Sequence, residues 1–132
     1  MSNSIAIGVA YSDPEFSTCF ITEQLGYAAS GQGTVTQATS KSTAVTLNKS
    51  AGQITMNAAS LNGTTNVTFT LNNSLISAKD VLILNVASGT AGSYNVWVSG
   101  LSAGAASITL RNISGGALAE AVQINFAIIH CA

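Results

Sequence analysis

Residues 121–130 read AVQINFAIIH. Val122, Ile124, Phe126 and Ile128 share one face at a period of two, and Gln123, Asn125 and Ala127 share the other, which is the pattern of a half-buried strand. A helix needs apolar residues three and four apart, and this stretch lacks that spacing. As the most apolar strand candidate in the chain, it is expected in the middle of a sheet, with both backbone edges paired to strands from earlier in the sequence.

Upstream of it, from Gly31 onward, short alternating runs are separated by Gly, Ser and Asn at the spacing of a β-sandwich or barrel. The predicted strands are Gly33–Gln37, Ala44–Asn48, Gly52–Asn57, Asn66–Asn72, Asp80–Ala87, Gly92–Gly100, Ala105–Asn112 and Ala121–His130. Glycines in or beside the gaps supply the turns, and the only proline, Pro14, lies far from them. In Val81 to Val86 (VLILNV) nearly every position is apolar, which predicts a strand covered on both faces, one by the opposite sheet and one by another element or subunit. In Tyr94 to Val98 (YNVWV), Tyr94, Val96 and Val98 share a face, so either Trp97 points outward or the register is bulged. An outward Trp serves as a partial core cover, a subunit contact or a sugar-stacking platform. Together these features predict an all-β, jelly-roll-like sandwich of about eight antiparallel strands. The immunoglobulin-like alternative lacks the Cys and Trp spacing of that fold.

With 132 residues the chain suits a single core. Charged residues are 7%, against about 25% in ordinary globular domains. Low charge removes a defence against self-association, so a homo-oligomer, dimer or trimer, is expected. Four basic residues, Lys41, Lys49, Lys79 and Arg111, are scattered, which argues against nucleic acid as a partner. No apolar run is long enough for a membrane helix, and residues 1–10 lack the features of a signal peptide. A soluble protein made in the cytoplasm is the expectation.

Residues 1–30 differ from residues 31–132, the expected sandwich domain. They hold three acids, Asp13, Glu15 and Glu23, and no Lys or Arg, for a net charge of −3, while the rest holds four bases and two acids, for +2. They also hold the aromatics Tyr11, Phe16, Phe20 and Tyr27. Ser2 to Tyr11 alternates like a strand, whereas Phe16, Cys19, Phe20 and Tyr27 also suit a short amphipathic helix. These aromatics either belong to the domain's own core or form an N-terminal arm that anchors on a neighbouring subunit.

Little in the sequence points to chemistry. His130, the only histidine, sits beside Cys131 with no third group in view to orient it. The carboxylates Asp80 and Glu120 open strands and read as turn-forming, solvated groups, and no metal-ligand spacing or phosphate-cradling loop is visible. Neither a cofactor nor a metal is expected, and the chain is read as a non-enzyme. The Asn-x-Ser/Thr triplets at Asn48, Asn62, Asn66, Asn72 and Asn112 follow from composition. Cys19 and Cys131 are expected to be free and buried, with pairing as the alternative.

Two stretches carry a resemblance: GTVTQATSKSTAVTLNKSAGQITM (Gly33–Met56) and GSYNVWVSGLSAGAASITLRNISGGALAEAVQINFAII (Gly92–Ile129). They resemble small β-sandwich structural proteins of the virions of tailed bacteriophages and prophages, most closely in Ile-Thr-Leu-Arg-Asn followed by Ala-Val-Gln-Ile-Asn-Phe. The likeness spans about Gly31 to His130, and no catalytic residues come with it. It implies a place on the capsid surface as a decoration, or cement, protein bound to the major capsid protein, or else a tail-fibre or receptor-binding module that contacts a cell-surface glycan. A short chain without fibre repeats or heptads favours the first. The expected interface residues are then Tyr11, Asp13, Glu15, Phe16, Phe20 and Tyr27, with Trp97.

Overall fold

A computed structural model describes residues 16–131. It is an all-β sandwich of eight strands: β1 (Gln32–Thr36), β2 (Val45–Thr46), β3 (Ala51–Thr55), β4 (Asn66–Asn72), β5 (Val81–Ser88), β6 (Tyr94–Ser102), β7 (Ala105–Asn112) and β8 (Gln123–Ile129). One four-stranded sheet has the order β1-β3-β8-β5 and the other β2-β4-β7-β6. A single 3-10 turn, Ala29–Gly31, leads into β1.

The chain crosses from sheet to sheet between each pair of successive strands from β1 to β6. Each crossing reverses its direction, so two crossings restore it, and β1 pairs parallel with β3 while β2 pairs parallel with β4. Antiparallel strands enter only through the β6–β7 hairpin and β8. β7 inserts between β4 and β6, and β8 between β3 and β5. This corrects the expectation of uniformly antiparallel strands: the outermost pair at one edge of each sheet is parallel. The central place expected for Ala121–His130 is where β8 lies.

Period-two patterning sets the core between the sheets. Ile124, Phe126 and Ile128 of β8 face Phe69 and Leu71 of β4 and Ala106, Ile108 and Leu110 of β7 within one apolar cluster that also takes in Ile54, Met56 and Leu82. At the β6–β7 turn Gly104 has φ +80°, a backbone that glycine adopts without a Cβ clash. That turn is tied to the loop between β4 and β5, because Asn73 N–H donates to Gly104 C=O at 2.9 Å and Gly104 N–H donates to Ile76 C=O at 2.8 Å. At the opposite end of β7, the fully buried Asn112 joins two loops, its Nδ2 donating to Leu61 C=O and Gly116 C=O, both at 2.9 Å.

β5 has the expected cover on one face. Leu82 is buried and Leu84 and Val86 pack against the core, but Val81 and Ile83 on the other face are about half exposed. The opposite sheet covers its inner face, and across the outer one runs the segment before β1.

Candidate functional site

The two outward sheet faces are chemically unlike. On the first, β8 presents Gln123, Asn125, Ala127 and Ile129 between β3 and β5. One half of this face is polar, with Gln53 Nε2 donating to Asn125 Oδ1 at 2.9 Å and Asn85 paired opposite Asn125. The other half is apolar, built from Val81, Ile83, Ala127 and Ile129. Across the apolar half runs the segment before β1. Leu25 and Tyr27 line a groove of about 430 Å³ with Ile83, Ala127, Ile129 and His130. The Tyr27 hydroxyl donates to the Ile128 carbonyl, and Gln32 Nε2 donates to Tyr27 C=O at 2.7 Å, so the segment is fastened at Tyr27.

Beyond that fastening the arm carries bare apolar groups. Phe16 is 70% exposed, Phe20 92% and Leu25 85%. This overturns, for Phe16 and Phe20, the reading that these aromatics belong to the domain's own core, and no helix forms over residues 16–28. The segment lacks the contiguous apolar stripe that would hold a helix against the sandwich. The expected interface residues Tyr11, Asp13 and Glu15 lie outside the described residues.

The second outward face belongs to β4, β7 and β6. Here Asn66, Arg111 and Asn95 form one cross-strand row, and Thr68, Thr109 and Trp97 the next. Trp97 points outward, and a register shift between Val98 and Gly100 follows it, so both alternatives read from YNVWV hold at once. The Thr68 and Thr109 hydroxyls are 2.7 Å apart, Thr109 donates to Ser99 Oγ at 2.8 Å, and Ser99 donates to Ser107 C=O at 3.3 Å. Arg111 Nη1 donates to Asn66 Oδ1 at 3.2 Å. Tyr94 is buried on the inner face, as its phase with Val96 and Val98 requires.

Titratable groups occupy the two ends of the sandwich. At one end, the Asp80 carboxylate accepts from Ser77 N–H at 2.8 Å, Ser77 Oγ at 2.9 Å and Cys131 N–H at 3.1 Å, and pairs with His130 Nδ1 at 2.9 Å. The Ser77 amide is the largest of the influences that hold its pKa well below the ordinary carboxylate value. Asp80 is therefore a buried closing group for the turn and the end of β8, not a solvated one. His130 gains an orienting carboxylate, but the neighbouring Cys131 Sγ lies by the Ile129 carbonyl at 3.9 Å. Both cysteines are free, and both are exposed rather than buried, Cys19 on the segment before β1 and Cys131 just past the end of β8.

At the other end, Lys41 is buried in a loop, a placement that a lone Lys among Ser and Thr did not reveal. Its Nζ donates to Asn57 C=O and Glu120 C=O, both at 2.6 Å. Burial lowers its pKa, partly offset by the Glu120 charge. Glu120 Oε1 accepts from Thr90 N–H at 2.9 Å and from the Tyr94 hydroxyl at 2.8 Å. Those bonds, Thr90 first, lower the Glu120 pKa, while burial and then Glu120 raise that of Tyr94. Each of these groups is committed to closing loops, and among the described residues no cluster of three or more His, Cys, Asp or Glu forms.

Compared with protein-family models, with curated proteins and with solved structures, the chain matches none.

Proposed function

We propose that this chain is a structural protein of a bacteriophage particle: a non-enzymatic capsid decoration protein that docks on the major capsid protein across capsomer boundaries. The observation that carries the reading is the arm. Phe16 and Phe20 are largely exposed, and Leu25, also largely exposed, lies at the apolar groove beside Ile83 and Ile129, next to the fastening at Tyr27. Burying a large apolar side chain is worth roughly 1.5–3 kcal/mol, so an arm of this kind reaches its stable state in apolar pockets of a partner. The acids Asp13, Glu15 and Glu23 give it a charge suited to basic shell groups. Repetition of one interface over a symmetric shell multiplies the gain. The sequence resemblance to virion proteins supports the same reading.

The test is re-addition of purified protein to capsids that lack it, with occupancy read by cryo-electron microscopy. Wild type fills regular, symmetry-related positions. The combined variant Phe16→Ser, Phe20→Ser, Leu25→Ser keeps its fold and leaves those positions empty. Full occupancy by the variant, or wild-type density confined to the tail, overturns the reading. The tail-fibre or receptor-binding alternative draws on Trp97, which is outward, and copy number per particle separates the two.

A further inference from the structure

We infer that the outward face of β4, β7 and β6 is a carbohydrate-binding surface, with Trp97 as the stacking platform for one pyranose ring of a neutral glycan. The inference is independent of shell docking, which uses the opposite sheet and the arm.

Three features of this face argue for a sugar. Trp97 is 38% exposed, so part of the indole is open on a sheet face where its cross-strand neighbour is Thr109. Within the two rows that surround it, Asn66, Arg111, Asn95, Thr68, Thr109 and Trp97, it is the single large apolar side chain. A protein interface gathers several apolar or aromatic groups at its centre. Thr109 is buried within its row, and one ring with the exposed Asn95 and Asn66 amides and Thr68 hydroxyl around it suits instead a ligand that is apolar on one face and polar around its rim, as a pyranose is.

The polar groups are also already oriented. Thr109 gives its proton to Ser99, so in the Thr68–Thr109 pair Thr68 is the donor. The chain Thr68 to Thr109 to Ser99 to Ser107 C=O leaves the Thr68 oxygen as an acceptor for a ligand hydroxyl. In the adjacent row, Arg111 holds Asn66 Oδ1, which leaves the Asn66 Nδ2 donors for a ligand. Acceptor and donor thus lie side by side on β4, two strand spacings from the indole, about 10 Å, the scale of a disaccharide. Side chains fixed before binding lose little entropy on it. Arg111 is the only charged group in these rows and every other polar group there is a neutral amide or hydroxyl, so the rows mainly read the hydroxyls of a neutral sugar.

Trp97 is the only tryptophan in the chain, so intrinsic fluorescence reports on this face alone. The full-length protein is titrated with neutral gluco-, galacto-, manno- and N-acetylglucosamine oligosaccharides, and with uronic and sialic acid oligosaccharides for comparison. The expected result is a saturable shift in emission with at least one neutral set, with a dissociation constant of about 1 mM or below, within the range of one stacked ring plus a few hydrogen bonds. By calorimetry, Trp97→Ala weakens that binding about tenfold or more, Trp97→Phe retains most of it, and Asn66→Ala weakens it while circular dichroism and melting stay close to wild type. No saturable shift with any neutral set overturns the inference. So does binding that is indifferent to Trp97→Ala, or binding of acidic sugars alone that is lost in Arg111→Gln and kept in Trp97→Ala. Shell occupancy is unchanged in Trp97→Phe, so this result and that of the arm variant are read separately.

Discussion

The Lys41 ammonium donates to the backbone carbonyl of Glu120 at 2.6 Å across 79 residues of chain, and the same nitrogen donates to Asn57 C=O. One side chain thus holds together the loop after β1, the segment after β3 and the approach to β8. Around it Gln37 Nε2 donates to Lys41 C=O at 3.0 Å and Thr43 C=O at 2.9 Å, and its Oε1 accepts from Asn57 N–H at 3.0 Å. Lys41→Met keeps the stem and removes the donor, leaving two carbonyls unpaired. The expected loss is about 1–3 kcal/mol, measured by urea unfolding at pH 7. Stability equal to wild type shows that water replaces the ammonium.

Asp80 predicts the response to acid. Its folded pKa lies below the unfolded value, so its contribution is complete above the unfolded pKa and is lost as pH falls from there toward the folded one. Wild type therefore melts at a higher temperature than Asp80→Asn at pH 6, and the gap closes as pH drops below about 4. Melting curves from pH 6 to pH 2.5 measure it. A gap that stays constant over that range assigns the difference to shape and not to charge.

Two glycines separate crowding from backbone strain. A Cβ on Gly52 meets the Gly33 carbonyl oxygen at 2.5 Å and Leu47 Cδ2 at 2.8 Å, so Gly52→Ala forces β1 away from β3. Gly92, with φ +73°, has open space where its Cβ would stand. Gly92→Ala thus costs only the conformational preference, about 1 kcal/mol. Hydrogen exchange is expected to accelerate selectively at the β1 amides in Gly52→Ala and to stay near wild type there in Gly92→Ala.

Ile124 sets the value of the core. It is fully buried on β8 between Ile54 of β3 and Val86 of β5. Ile124→Ala is expected to cost about 2–5 kcal/mol through lost transfer energy and the cavity left behind. Gln123→Ala next to it, half-buried on the outer face, is expected to stay within about 0.5 kcal/mol of wild type. Urea midpoints of the two variants make the comparison.

The strands were legible because alternation is local. Asn66–Asn72 and Ala105–Asn112 match their predicted limits, and Ile124, Phe126 and Ile128 face inward as their phase requires. Pairing partners were less legible. Nothing in Gln32–Thr36 or the two-residue Val45–Thr46 states that they pair parallel, since that follows from how many times the chain crosses the sandwich. The buried roles of Lys41, Asp80 and Asn112 were hidden because their partners are distant backbone groups, which no spacing records. One signal was present: Ser77 and Asp80 stand three apart, the separation that lets a carboxylate bond back to the Ser amide and hydroxyl. Trp97 was legible by phase, but its polar surroundings come from β4, distant in the chain.

The position of β8 has a kinetic side. β6 and β7 are joined by a tight turn and form their ladder locally, so the second sheet has an early nucleus. The first sheet has none: the β1–β3 ribbon and β5 share no ladder until β8 enters between them. Through that interval VLILNV lacks even the β8 partner that leaves it one open edge in the finished sheet, and it has high β-propensity and no charge, the composition that associates with its like. Yield on refolding is thus a race between one intramolecular strand insertion and collisions among unfinished sheets. Dilution favours the insertion, and destabilising β8 favours the collisions.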